Sequence, residues 1–248
     1  MNKLCIAFIA VLSFSSCGIY RQNIVNVPMV QKKGQIQVGS HISFNGYDGQ
    51  VSYTPSNKFT ILANFSAFGA NDEFFHTAKH TIEKHNFSEI GIGYYKNNKK
   101  GRTSDIFMLF GNGYTYKFFK GGDTVTGNVK PFEYTKTANY NRFLLQADFI
   151  KKSSRKSFAF SPRLFLVNYY NVKDNGTNIF EQNPRTYVYT EGVVTLGVKV
   201  FKDLRISSQV AFTIPIIGWS VAYYEFSPLN FSVGLTYNMN FRKNNVDK

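Results

Sequence analysis

From Gln35 onward, apolar and polar residues alternate with a period of two, which marks β-strands and not helices. The clearest segment is 229-LNFSVGLTYNMNF-241. Leu229, Phe231, Val233, Leu235, Tyr237, Met239 and Phe241 share one face, and Asn230, Ser232, Gly234, Thr236, Asn238 and Asn240 share the other. The same pattern predicts ten strands, near 35–44, 47–54, 58–68, 87–96, 104–118, 138–150, 157–170, 186–201, 204–214 and 229–241. In the ninth, Leu204, Ile206, Ser208, Val210, Phe212 and Ile214 oppose Arg205, Ser207, Gln209, Ala211 and Thr213. The fifth and seventh carry continuous apolar runs, 106-IFMLF-110 and 164-LFLV-167, which suggest bulges.

Alternation alone does not say which face meets the core. Three features turn the apolar face outward, toward lipid. The later strands are longer than the ~5–6 residues usual in soluble sheets and reach the ~9–11 needed to cross a bilayer. The polar face is mostly Gly, Ser, Thr, Asn and Gln, with occasional charges (Glu89, Arg142, Asp148, Glu191, Lys199 and Arg205) that suit a crowded lumen. Connections also alternate: short ones at 55–57, 97–103, 151–156 and 202–203, long ones at 69–86, 119–137, 171–185 and 215–228. Short periplasmic turns and long extracellular loops are the habit of outer-membrane barrels.

The fold expected is therefore all-β: a single antiparallel up-and-down transmembrane β-barrel of about ten strands. An even count returns the chain to the side on which it began, so both termini are expected to be periplasmic. Tyr114, Tyr116, Tyr169, Tyr187 and Tyr189 would form an outer aromatic girdle, and Phe59, Tyr94, Tyr95, Phe158 and Phe241 an inner one.

The first residues read differently. MNKLCIAFIAVLSFSSC has a basic start and an apolar core too short to span a bilayer, so residues 1–16 are expected to be a lipoprotein signal peptide. Phe14-Ser15-Ser16-Cys17 resembles a lipobox, which makes Cys17 the lipid-attachment residue. Residues 17–34 then read as a periplasmic tether, 35–242 as the barrel and 243–248 as a C-terminal tail. Cys5 leaves with the signal peptide, so the mature chain forms no internal disulfide.

Composition supports a membrane setting. Aromatics make up 17% of residues and charged residues only 18%. A net charge of +14 raises the question of nucleic acid, but the lysines and arginines gather in short turns such as 151-KKSSRK-156. They do not lie along one recognition helix, so no nucleic-acid partner is expected, and contact with anionic lipid headgroups is the better use of such turns.

Several quoted stretches together resemble a family of barrel lipoproteins from Bacteroidetes-type bacteria. They are the lipobox-like cysteine, Val27-Pro28-Met29-Val30 with Lys33-Gly34, 89-EIGIGYY-95, 140-YNRFLLQADF-149 and 158-FAFSPRLFLVNYY-170. The resemblance covers nearly the whole chain and implies a location and a fold, with no activity attached. It implies outer-membrane lipid and the lipoprotein-processing and barrel-insertion machinery as partners. The C-terminal Gly234, Tyr237, Met239 and Phe241 also look like the signal read by that insertion machinery, although the tail 242-RKNNVDK-248 departs from it.

Candidate chemistry is sparse, and no cofactor is expected. In 76-HTAKHTIEKH-85, His76 and His80 would share a face if helical, near Glu83 and His85, but the segment lacks the Glu of a zinc-protease motif. It reads better as a polar surface loop. His41 on the first strand and Asp48 on the second could form a dyad, although a lumenal hydrogen bond explains them better, since structural pairs of this kind are common. The Gly-rich 121-GGDTVTG-127 has no flanking strand, helix or Lys of a phosphate cradle.

Ten strands lie near the closed end of the size range, since eight leave a filled interior and 16–18 an aqueous channel. The expected role is structural or surface-interacting, through the long outer loops, and non-enzymatic. Two alternatives stand beside it: a narrow or gated small-solute channel, and a barrel hydrolase with catalytic residues at the rim or in loops. The apolar loop 215-PIIGWSVAYYEFSP-228 points to an extracellular partner.

Overall fold

The computed structural model describes residues 22–29, 32–72, 80–98, 102–122, 131–175, 177–178, 186–217 and 228–240. Its strands are β1 (Gln35–Ser43), β2 (Gly46–Tyr53), β3 (Phe59–Asp72), β4 (His80–Asn98), β5 (Arg102–Gly122), β6 (Pro131–Lys152), β7 (Lys156–Asp174), β8 (Thr177–Asn178), β9 (Thr186–Lys199), β10 (Leu204–Ile217) and β11 (Leu229–Asn240). Every neighbouring pair is antiparallel. The ring closes where β1 meets β11, from Gln35 opposite Asn240 to Ser43 opposite Ser232. Strand β8 pairs only with the end of β7 and stands outside the ring, leaving a closed barrel of ten strands.

Closure matters because lipid offers no partner for an unpaired N–H or C=O, and a ring has no edge. The side chains follow the period of two. Ile90, Ile106, Phe110, Val210, Val233 and Leu235 all point outward and are exposed. Gln37, Asp48, Gln146, Arg163 and Gln209 point inward and are buried. This is the reverse of a soluble protein and gives the fold of an outer-membrane β-barrel.

The runs 106-IFMLF-110 and 164-LFLV-167 contain no bulge. Ile106, Met108 and Phe110 face out while Phe107 and Leu109 face in; Leu164 and Leu166 face out while Phe165 and Val167 face in. Both faces are apolar there because the lumen has its own hydrophobic cluster, including Leu62, Phe87, Phe107, Leu144 and Phe165. An irregularity does occur elsewhere, between Asn139 and Tyr140 in the β6–β7 pairing.

Two expectations about the loop end are corrected. Strands β4 to β7 run 19, 21, 22 and 19 residues, so much of the anticipated loops 69–86 and 119–137 is strand. Beyond the apolar band both faces of the wall mix polar and aromatic residues, so the alternation that betrays a strand disappears while the ladder continues. The wall is consequently uneven, because β1 and β2 have only 9 and 8 residues. Their hairpin turns at Phe44-Asn45, with Gly46 at φ +123°, a conformation that a Cβ would strain.

The girdles are also partly reassigned. Tyr114, Phe59, Tyr94 and Phe158 do face outward. Tyr95, Tyr169, Tyr187 and Tyr189 are instead buried in the lumen, at 1–2% exposure. Register parity decides this: Tyr187 and Tyr189 share the face of lumenal Glu191, and Tyr169 shares that of Arg163. Phe241 lies outside the described residues.

Candidate functional site: the occupied lumen

Residues 22–29, QNIVNVPM, lie inside the barrel, and all eight are buried. The expected periplasmic tether is therefore corrected over this stretch. At its start, the Gln22 carbonyl accepts hydrogen bonds from Asn45 Nδ2 (3.3 Å) and Asn230 Nδ2 (3.5 Å), both at the loop end. At its finish, the Met29 carbonyl accepts from Lys152 Nζ at 3.3 Å, at the turn end. Eight residues reach at most about 28 Å, which suffices to run through an apolar band ~25 Å tall. The chain then turns at Gly34 into β1. The described chain thus begins at the loop end, with Gln22, and finishes at the turn end, with Asn240 opposite Gln35. Strand parity counts only from β1 and so leaves the lumenal crossing of residues 22–29 out.

A single segment in a polar tube needs partners for its backbone, and side-chain amides supply them. Gln50 Nε2 donates to the Ile24 carbonyl (3.2 Å), while the Ile24 N–H donates to Asp48 Oδ1 (3.2 Å). Gln209 takes both groups of Val25, at 3.1 and 2.8 Å. Gln146 Nε2 donates to the Asn26 carbonyl (2.9 Å). Gln37 accepts from the Met29 N–H (2.8 Å) and donates to the Val27 carbonyl (3.2 Å). Four wall glutamines thus imitate a neighbouring strand. On the apolar side, Val25 and Val27 cluster with Ile150, Ala159, Val193 and Ala211.

The plug also enters a charged network. Arg142 Nη2 meets Glu89 Oε2 at 2.5 Å, and Arg163 Nη1 meets Glu191 Oε2 at 2.9 Å, with side chains at most 2% exposed. Asn23 joins the two pairs, donating to Glu89 at 2.9 Å and accepting from Arg163 at 3.4 Å. Asn64 donates to the same Glu89 oxygen at 2.7 Å and accepts from Asn26 at 2.8 Å. Two cations and two anions cancel, which a buried site demands.

His41 and Asp48 are opposite each other in the β1–β2 register, yet they serve separate partners. Asp48 holds the plug, whereas His41 Nε2 lies 3.0 Å from Ser207 Oγ. A serine beside a histidine is the start of a nucleophilic pair, but among the described residues none hydrogen-bonds His41 Nδ1 to orient it. The imidazole packs so closely on Gly234 that a Cβ there would overlap it. The adjoining cavity, between His41, Gln37, Gln209, Ser207 and the plug, is about 10 Å³. That is room for about one water, and none for a substrate.

The histidine segment is not a helix. His80 and His85 both belong to strand β4, five positions apart and so on opposite faces; His76 lies outside the described residues. His85 Nε2 lies 2.7 Å from Tyr140 Oη, inside the lumen, and the His80 ring packs edge-on against Phe118. Among the described residues no group of three His, Cys, Asp or Glu side chains could hold a metal. Cys17 and the loop 121–127 beyond Gly122 also fall outside them. The residues that sequence reasoning passed over are Gln37, Gln50, Gln146, Gln209 and Asn23. The recurrence of glutamine on the inner faces was the available signal.

No protein-family model matches the chain, and no curated protein matches it. Solved structures similar to it include the outer membrane protease OmpT from Escherichia coli, at 7% identity over 83% of this chain and 93% of that one, with a TM-score of 0.47. The KdgM porin matches at 11% identity, over 82% and 98% of the two chains, with a TM-score of 0.36. CarO from Acinetobacter baumannii matches at 6% identity, over 83% and 97%, with a TM-score of 0.35.

Proposed function

We propose that the chain is an outer-membrane barrel lipoprotein with a structural or surface-interaction role and no catalytic activity, its lumen kept closed by its own N-terminal segment. The observation that carries this reading is the burial of Gln22–Met29 among wall glutamines and ion pairs. A tube so filled leaves little room for free solute among the described residues, and the cavity beside its Ser207–His41 contact is too small for a substrate. Outward apolar residues around the ring support residence in a bilayer. The tall side of the wall supports the surface role: the Lys120–Glu133 pair (2.8 Å) on β5 and β6 is half exposed, as befits a region standing in water. The resemblance of 89-EIGIGYY-95 and 158-FAFSPRLFLVNYY-170 to Bacteroidetes-type barrel lipoproteins fits the same assignment.

The lumenal route changes where an anchor would sit. Cys17 precedes Gln22 by five residues, a reach of at most about 18 Å. Acyl chains on Cys17 would therefore enter the leaflet at the loop end and not the turn end.

A gated small-solute channel is the second reading. It is favoured by the attachment of Asn23–Met29 through wall side chains, outside the strand ladder, so that release of the plug would leave the ring intact. Planar-bilayer recording separates the two. The full chain is expected to be silent, and a variant lacking residues 22–29 to give conductance steps. Steady steps from the full chain would overturn the closed-barrel reading, and steps evoked only by voltage or solute would establish the gated one.

A further inference from the structure

The turn end of the lumen contains a feature that neither plugging nor membrane insertion uses. Beneath the foot of the plug lies a cavity of about 250 Å³, bordered by Met29, Lys152, Lys199, Lys202, Asp203 and Arg205. Four cations face one carboxylate. Most of the lumen behaves differently: the Arg142 and Arg163 guanidinium groups each have a glutamate within 3 Å.

Arg205 is the telling residue. It is 4% exposed, and its recorded hydrogen-bond contact is Met29 Sδ at 3.7 Å, a weak acceptor. Among the described residues no carboxylate lies within ion-pair distance of it. Lys199 stands opposite Arg205 in the β9–β10 register. Lys152 borders the same cavity as both, and it spends one donor on the Met29 carbonyl. A buried charge without a counter-charge is costly, and three like charges gathered at one mouth compound the cost. Around them stand neutral hydrogen-bonding groups, including Ser153, Gln35 and Asn238. The volume far exceeds the ~10–15 Å³ that one water needs.

We propose that this basin binds a phosphate-type oxyanion, with Arg205 as the buried anchor and Lys152 and Lys199 closing around it. A guanidinium offers paired donors to two oxygens, and ammonium groups supply charge without fixed geometry. Asp203, at the β9–β10 turn, faces the same cavity and disfavours additional negative charge. The phosphate could be that of a lipid headgroup or a free phosphate, and the shared chemistry is the phosphoryl group.

The test is calorimetric titration of the full chain, in neutral phosphatidylcholine nanodiscs, with inorganic phosphate. Saturable binding is expected, weakened at least tenfold by Arg205→Gln and by Lys199→Ala. The latter residue is only half-buried at the strand end and guards against a folding defect in the former. Repeating the titration in nanodiscs containing phosphatidylglycerol identifies the source: headgroup occupancy abolishes the phosphate heat, whereas a free-phosphate site retains it. Absence of binding in the neutral discs, or affinity unchanged in both variants, would overturn the proposal.

Discussion

Gln209 holds Val25 by both of its backbone groups: Oε1 accepts from the Val25 N–H at 3.1 Å, and Nε2 donates to the Val25 carbonyl at 2.8 Å. A primary amide thereby substitutes for a strand edge, placed by β10 at mid-wall. Gln209→Ala should leave both groups unmatched in a buried site, at a cost of about 1–3 kcal/mol. The expected readouts are a lower unfolding midpoint in detergent and faster amide exchange at Val25. Unchanged exchange there would mean that the wall does not retain the plug.

The Glu89–Arg142 pair offers a second check on the lumen. Arg142→Met removes the ion-pair partner of Glu89 and leaves it, among the described residues, hydrogen-bonded to the amides of Asn23 and Asn64, and should destabilise by about 3–5 kcal/mol. Adding Glu89→Gln removes the uncompensated charge, so the double variant should lose less than the two single losses combined. Chemical denaturation of the refolded barrels measures the cycle; additive losses would show that the two groups act independently.

On the outer surface, Leu235 lies midway along β11, between Ser40 of β1 and Ile206 of β10. Leu235→Arg at this mid-wall level should cost about 2–4 kcal/mol, and Tyr53→Arg at the turn end about 0–1 kcal/mol. Urea titration of protein folded into lipid vesicles reads both. Equal costs at the two depths would contradict the bilayer placement.

For the anchor, palmitate labelling of growing cells should mark the wild-type protein and be lost in Cys17→Ser. The substituted barrel should still migrate as a folded species in an unheated SDS gel, since the ring holds itself together by its ladder. Labelling that persists in Cys17→Ser would remove the lipid from this account.

Much of the wall was legible from sequence because a strand with lipid on one side and a polar lumen on the other must alternate. Phe231, Val233, Leu235 and Tyr237 announce β11, and Leu204 to Ile214 announce β10, by that constraint alone. The ends of β4, β5 and β6 were not legible, because water on the outer side removes the demand for apolar residues. Tyr169, Tyr187 and Tyr189 were misassigned for a related reason: an aromatic suits both an interfacial girdle and a lumenal cluster, and only register tells them apart.

Sequence alone determined the class of fold, a count of about ten strands and the outward turn of the apolar face, all of which follow from local periodicity; the pairing of β1 with β11 fixed the ring at ten. Tertiary structure decided what fills the tube. Residues 22–29 are too short and too mixed to reveal a destination, and their partners Gln50, Gln146 and Gln209 stand 26, 120 and 184 positions away. Only closure of the ring converts those glutamines into a lining. The same closure gathers Arg205, Lys152, Lys199 and Lys202 at the mouth against Asp203, the one carboxylate among the described residues that border it. Hydrogen bonds and charges of this kind depend on distance in space, and period along the chain does not encode them.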